Sequence, residues 1–170
     1  PMSEWALREA ARQGSLWQKA FGFDGSIAVN MPARMFQRTD FIELIIGALQ
    51  EHGQPPRRLQ LELTESTLMM NLQHILPTLH RLNEIGVRIS VDDFGTGYSS
   101  LAYLTTLPIS ELKIDKSFVH NLGVTAKSTA VITTIVALSR ALGLSVIAEG
   151  VETPAQQAIL HRQGCTTMQG

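Results

Sequence analysis

The sequence predicts an α/β fold in which parallel strands and helices build a closed βα barrel, or part of one. Short period-2 runs alternate with helical patterns. Successive runs are separated by steps of about 20 to 35 residues. Most runs also carry their polar residues in phase, on one face. Alternation at this spacing implies parallel strands joined by right-handed crossovers. No linker, repeat or shift in composition divides the chain, so residues 1–170 read as one domain with six strands.

The strand runs fall at 26–30, 59–64, 87–92, 111–115 and 145–149, with a weaker one at 165–169. An opening helix carries Trp5, Leu7 and Ala11. Thr39 or Asp40 can cap a helix that reaches Glu51, with Gly53 just beyond its end. Asn71 can open another that stops before Gly86, and a short helix is expected after Tyr98. A helix over 125–142 meets Gly143. Thr153 and Pro154 read as N-cap and first residue of the last helix, which Gly164 closes.

The phase of the strands favours the barrel. Parallel strands covered by helices on both sides usually read as continuous apolar runs. Here Leu59, Leu61 and Leu63 oppose Gln60, Glu62 and Thr64, and Val87, Ile89 and Val91 oppose Arg88, Ser90 and Asp92. Leu112 and Ile114 likewise oppose Glu111, Lys113 and Asp115. The apolar faces suit packing under helices, so the polar faces should converge on a shared interior, as a closed barrel allows.

Composition narrows the function. Fourteen Lys and Arg stand against fifteen Asp and Glu, a net charge of −1, which argues against a polybasic footprint for DNA or RNA. Hydrophobic residues make up 44%, ample for a core. Cys165 is the single cysteine, which leaves no internal disulfide framework and no Cys-rich zinc site. No apolar run approaches the roughly 20 residues of a membrane span, and the N-terminal residues lack a signal-peptide profile. A soluble, cytoplasmic chain is expected.

Asn30, Glu62, Asp92, Lys113 and Glu149 fall at or near the C-terminal ends of successive strands, the face on which βα barrels build their sites. Carboxylates gathered there repel one another unless protonated or bridged by cations. All-oxygen ligands suit hard ions such as Mg²⁺, Mn²⁺ or Ca²⁺. Adjacent Asp92 and Asp93 could serve two metals, a device that clamps both oxygens of a phosphodiester displacement. Lys113 could hold the attacking water or offset charge on the phosphorane. The histidines at 52, 74, 80, 120 and 161 lie in helical or loop segments, which disfavours zinc. Taken singly, each strand-end acid is more often a cap or loop acceptor, and Lys113 an ordinary ion-paired lysine. Five in phase favour a site. The run Asp93, Phe94, Gly95, Thr96, Gly97 reads either as a plain turn or as a loop closing over that site. Cys165 is expected to be buried, and Met69 and Met70 to fill the core.

These motifs together resemble the EAL domain family. Leu61-Glu62-Leu63-Thr64-Glu65-Ser66, the run from Asp92 to Leu101, Leu112-Lys113-Ile114-Asp115 and Ala148-Glu149-Gly150-Val151-Glu152-Thr153 carry the likeness, with Val29-Asn30 and the opening Glu4 to Ala10. The resemblance implies a bacterial phosphodiesterase that cleaves cyclic di-GMP to linear pGpG with two Mg²⁺ or Mn²⁺ ions. It implies that Asn30, Glu62 and Asp92 bind metal, that Asp93 serves the second ion, and that Glu149 completes the metal shell. Lys113 would contact the catalytic water, and Gln169 would position water or ligand. Glu65 would steady the loop of Phe94, Gly95, Thr96 and Gly97 and couple it to dimer contacts, and Glu152 would touch ligand or loop. A homodimer is implied, together with GGDEF or sensory domains and a possible membrane tether in the parent protein.

The likeness has gaps. The Glu-Ala-Leu motif and its nearby arginine do not precede Asn30, and Pro32 stands where many members carry serine. The expectation is therefore an incomplete TIM-like barrel, about six of eight strands, clipped at both ends and inactive as a segment. The rival readings are a non-catalytic EAL module that binds cyclic di-GMP or a protein partner, and another metal-dependent barrel enzyme such as a lyase.

Overall fold

Leucines and β-branched residues at alternate positions set the strands, and the helices between them are bounded by caps written into the sequence. The computed structural model describes residues 2–97 and 104–170, with the side chain of Asn71 left out. The expected short helix after Tyr98 lies outside the described residues. The chain divides into two compact units, residues 1–63 with 67–89 and residues 64–66 with 90–170.

In the first unit, helix α1 (Met2–Phe21) precedes strand β1 (Ile27–Asn30), two helices, α2 (Ala33–Phe36) and α3 (Phe41–His52), and strand β2 (Leu59–Thr64). β1 and β2 run parallel with Ile27 opposite Leu59 and Asn30 opposite Glu62. Phe41, Ile45, Ala48 and Leu49 form the buried stripe of α3, at the spacing of one helix face. Gly53 ends that helix at φ 64°, and the Gln54 amide donates to the Leu49 carbonyl at 2.9 Å. Asp40 stands at the N-cap without capping; its carboxylate pairs with Arg38 instead. Leu7 and Ala11 of α1 are buried, whereas Trp5 is exposed.

Helix α4 (Glu65–Glu84) corrects the expected start at Asn71. It begins directly after β2, six residues earlier, and runs through Pro77. Met70 is exposed on it and fills no core. Strand β2 is buried on both faces, Gln60 and Glu62 as well as its leucines, as a polar interior requires.

In the second unit, strands β3 (Arg88–Phe94, from Ser90 onward), β4 (Glu111–Ile114), β5 (Ser145–Glu149) and β6 (Thr167–Gln169) pair in parallel in that order. β3 runs two residues past the expected end at Asp92. Val91 opposes Leu112 but Phe94 opposes Ile114, so three steps on β3 match two on β4 and a bulge sits at Asp92–Asp93. β4 stops at Ile114 because the next residue, Asp115, caps helix α5 (Lys116–His120), accepting from the Ser117 amide at 2.9 Å. Helix α6 (Ala126–Leu142) is capped by Thr125 and ended by Gly143. Helix α7 (Pro154–Gln163) opens with a full capping box. The Thr153 hydroxyl accepts from the Gln156 amide at 3.2 Å, and the Gln156 side chain accepts from the Thr153 amide at 2.9 Å. Gly164 closes α7 as expected. β6 is shorter than the run 165–169, and Cys165 is buried. Every expected histidine lies in a helix. Among the described residues no helix is long and apolar enough to cross a membrane.

The capping box gives a direct stability test. Thr153→Ala removes the acceptor for the Gln156 amide and should lower unfolding free energy by about 1 kcal/mol, with Thr153→Ser close to the parent. Urea denaturation of the three proteins decides it. Equal midpoints would show that the cap contributes nothing.

Candidate active site

Polar side chains reach the C-terminal ends of β2, β4 and β5 by the period-2 phase of those strands, and a bulge does the same for β3. In the first unit, Asn30 and Glu62 are register partners on parallel neighbours, and the Met31 amide donates to the Glu62 carbonyl at 2.9 Å. Glu62 is buried, whereas Asn30 is exposed.

The second unit gathers most of the expected residues. Lys113 is buried on β4, and its Nζ lies 2.6 Å from Oε1 of Glu149 and 3.4 Å from Oδ1 of Asp92. A buried ammonium is costly unless paired, and here two carboxylates share it. The bulge breaks the alternation of β3, so consecutive Asp92 and Asp93 are both partly accessible instead of one being turned under the helices. Asp93 adopts φ 54°, a left-handed conformation that aspartate tolerates better than most residues. Its amide donates to its neighbour's Asp92 Oδ1 at 3.0 Å.

Burial, then the negative charges of Asp92 and Asp115, a hydrogen bond with the Asp115 side chain and the charge of Glu149, raise the pKa of Asp93 above its ordinary value. Burial works the same way on Asp115, but the hydroxyl and amide of Ser117 donate to its carboxylate and lower its pKa overall. Asp115 is thus a further acidic member of the cluster that had no role assigned from sequence. The signal for it was available, since it shares the polar phase of Glu111 and Lys113.

The loop after β3 is held from α4. Glu65, 1% exposed, accepts through Oε2 from the Gly95 amide at 2.8 Å and the Gly97 amide at 3.3 Å. Thr96 donates its hydroxyl to the Asp93 carbonyl at 2.9 Å, which closes the turn, while Phe94 is buried beneath it. A methyl group at Gly97 would fall 2.7 Å from Oε1 of Glu65, so the close approach needs glycine.

Gln169 stands opposite Glu149 in the β5–β6 register, and its carbonyl accepts from the Val151 amide at 3.0 Å. Glu152 is exposed, and its amide is bound by the Gln156 side chain. With Gly150 and Lys116, Ser117, His120 and Asn121, it lines a cavity of about 320 Å³ just beyond Glu149.

Among the described residues, no three His, Cys, Asp or Glu side chains stand together in an arrangement ready to take a metal ion. The Lys113 ammonium occupies the place between Asp92 and Glu149. The donor chemistry fits hard cations nonetheless. The oxygens of Asp92, Asp93 and Glu149 are close enough for their charges to oppose ionisation of Asp93, which a divalent ion would relieve.

The family pattern described as EAL domain matches residues 1–170. The chain belongs to the EAL domain family. It is 47% identical over 169 residues to the bifunctional diguanylate cyclase/cyclic di-GMP phosphodiesterase MucR of Pseudomonas aeruginosa, covering 99% of this chain and 25% of MucR. It superposes on the solved PaMucR phosphodiesterase in complex with c-di-GMP with a TM-score of 0.95 at 47% identity, covering 99% of this chain and 68% of that one. The manganese and c-di-GMP complex of Klebsiella pneumoniae BlrP1 at pH 6 gives 0.87 at 25% identity, covering 99% of this chain and 43% of that one. This EAL domain spans about a quarter of the length of the curated relatives it matches. The likeness also shows the fold class expected from strand phase, α/β with six parallel strands of an EAL-type βα barrel.

The raised pKa of Asp93 fixes the sign of a stability test. Its neutral form is favoured in the fold, so stability present below the unfolded carboxylate pKa is lost as pH rises through the folded value. In chelator-treated protein, Asp93→Asn should therefore be more stable than the parent at pH 7. The difference should shrink as the pH falls through the carboxylate range. Melting curves across that range check it; a variant less stable at pH 7 contradicts it.

Proposed function

We propose that this EAL domain is the catalytic part of a metal-dependent phosphodiesterase that hydrolyses cyclic di-GMP to linear pGpG in bacterial second-messenger signalling. The observation that carries the reading is the buried Lys113 ammonium paired with Asp92 and Glu149 beside Asp93. The c-di-GMP phosphodiesterase relatives support the substrate, and the manganese complex of BlrP1 supports a divalent ion.

In the second unit Asp92, Asp93 and Glu149 would supply oxygen ligands to Mg²⁺ or Mn²⁺, of which the reading calls for two; for Asn30 and Glu62, in the first unit, a metal-binding role rests on the family resemblance. Such ions, when bound, provide Lewis acidity toward the phosphoryl oxygen and lower the pKa of a water. The chain's own residues do the rest. Lys113 donates from Nζ toward the attacking water and offsets the charge that develops at phosphorus. Glu149 holds Lys113 in place through its 2.6 Å contact and stands ready to take a proton. Gln169, beside Glu149 in register, orients water or ligand. Glu65 fixes the backbone of residues 95–97, and so the carboxylate of Asp93. Glu152, in the wall of a cavity that begins at Gly150, would touch ligand or loop. The domain acts in the cytoplasm, as a homodimer, within a longer signalling chain that can carry GGDEF or sensory domains or a membrane tether.

The test is hydrolysis of cyclic di-GMP by the intact protein with Mg²⁺ or Mn²⁺, followed by chromatography of the product. Formation of pGpG that stops on chelation and returns with metal is expected. Tight binding without turnover would point to the non-catalytic module instead. Lys113→Ala should lower kcat by about a hundredfold or more, with cyclic di-GMP affinity within a few-fold of the parent. Unchanged turnover would remove Lys113 from the mechanism.

A further inference from the structure

Lys113 carries a charge with two opposing consequences for the same carboxylates. Its Nζ lies 2.6 Å from Oε1 of Glu149 and 3.4 Å from Oδ1 of Asp92. The side chains of Lys113, Asp92 and Glu149 are 8%, 14% and 20% exposed, so little water stands between these charges to screen them. Asp92 and Glu149, with Asp93, are also the carboxylates whose chemistry suits a divalent ion. An ammonium in contact with both oxygens neutralises part of the charge that attracts such an ion. Its own positive charge also repels a second cation brought to the same place.

We infer that Lys113 is a built-in competitor of the divalent ion, weakening metal binding at Asp92 and Glu149. The inference rests on the proposed reading for the metal it assigns to these carboxylates, and not for hydrolysis.

The sheet fixes the competitor in place. In register Lys113 faces Ile147, and Glu149 stands two residues further along β5, so the 2.6 Å contact joins groups anchored on paired strands. Coupling through shared oxygens is reciprocal: what the ammonium takes from metal affinity, a bound metal takes from the ammonium's hold on the carboxylates. Removing the charge therefore acts in opposite directions on two properties. In chelated protein Asp92 and Glu149 lose a partner, and the fold loses stability. Toward a metal the same two carboxylates gain attraction. A lysine that only held the ligands in position would give the reverse sign, since its loss would loosen the site and weaken binding. A lysine that acted on the attacking water alone would leave metal affinity unchanged.

The intact protein, freed of metal by a chelator, is titrated with Mn²⁺ alone by calorimetry. Lys113→Met keeps the length of the side chain and removes its charge, and Lys113→Arg keeps the charge. Lys127→Met removes an exposed lysine of α6 and makes the same change in net charge. Lys113→Met should bind Mn²⁺ about tenfold more tightly than the parent, with Lys113→Arg within about threefold and Lys127→Met within about twofold. A gain under about threefold for Lys113→Met, or any loss, overturns the inference, as does an equal gain for either of the other variants. Melting curves keep the test decisive if the methionine variant is fragile. Its rise in melting temperature from chelator to a fixed excess of Mn²⁺ should exceed the parent's, and a rise no larger than the parent's overturns the inference. Hydrolysis of cyclic di-GMP by the parent is assayed separately. Hydrolysis without the methionine gain overturns this inference alone. The gain without hydrolysis sustains it and overturns the phosphodiesterase reading, and a failure of every protein to bind Mn²⁺ overturns both.

Discussion

Charge compensation in a partly buried cluster governs the second unit. Asp92, Asp115 and Glu149 approach closely enough to oppose ionisation of Asp93, and the Lys113 ammonium pairs with Asp92 and Glu149. In a medium of reduced dielectric such a group tolerates neither a missing cation nor a misplaced one. The surrounding features follow from that demand. Lys113 is buried near the end of β4, Ser117 stabilises the ionised form of Asp115, and the strain at Asp93 is confined to one bulged residue.

The bulge decides what chemistry is open to the cluster. In regular strand geometry Asp92 and Asp93 would point to opposite faces, and one carboxylate would be lost under the helices. The extra residue between Val91 and Phe94 avoids this, and pairing with β4 resumes at Phe94 opposite Ile114. The chain then needs an external support, which Glu65 supplies from the start of α4. Because α4 begins with no intervening loop after β2, that carboxylate is carried on a rigid element, which suits it to hold a turn in an otherwise unfavourable conformation.

Where period and capping rules sufficed, the fold could be read directly from the residues. The polar phase of β4 placed Lys113 correctly, and Glu149 ends β5 as expected. Thr125, Thr153, Gly53, Gly143 and Gly164 bound their helices where local chemistry puts them. Failures arose where tertiary context overrode a local signal. Asn71 has the character of a cap, yet α4 starts at Glu65 directly after β2 and runs on through that position. Asp40 likewise looks like a cap, but Arg38 claims its carboxylate. Met70 looks like core by composition, and only the rotation of α4 turns it outward. The bulge did leave a mark, since the Asp92–Asp93 doublet between apolar Val91 and Phe94 breaks the period of two, but a strand read as ending at Asp92 passes it over.

These local exceptions share one origin. Each residue that departs from its intrinsic preference, Asp93 in its φ and its ionisation and Glu65 in its burial, is bound to another member of the same group. Conflicts between local preference and global fold are expected at sites where chemistry is done, because a relaxed arrangement would separate like charges and open the turn. The second unit instead holds the charges together by surrounding the loop with contacts of different kinds: an ion pair at Lys113, two amide bonds to Glu65 and an aromatic ring at Phe118. No one of these fixes the geometry alone. Hydrogen bonds hold the turn, apolar side chains pack against Gly95, and the ammonium sets the field in which the carboxylates remain together.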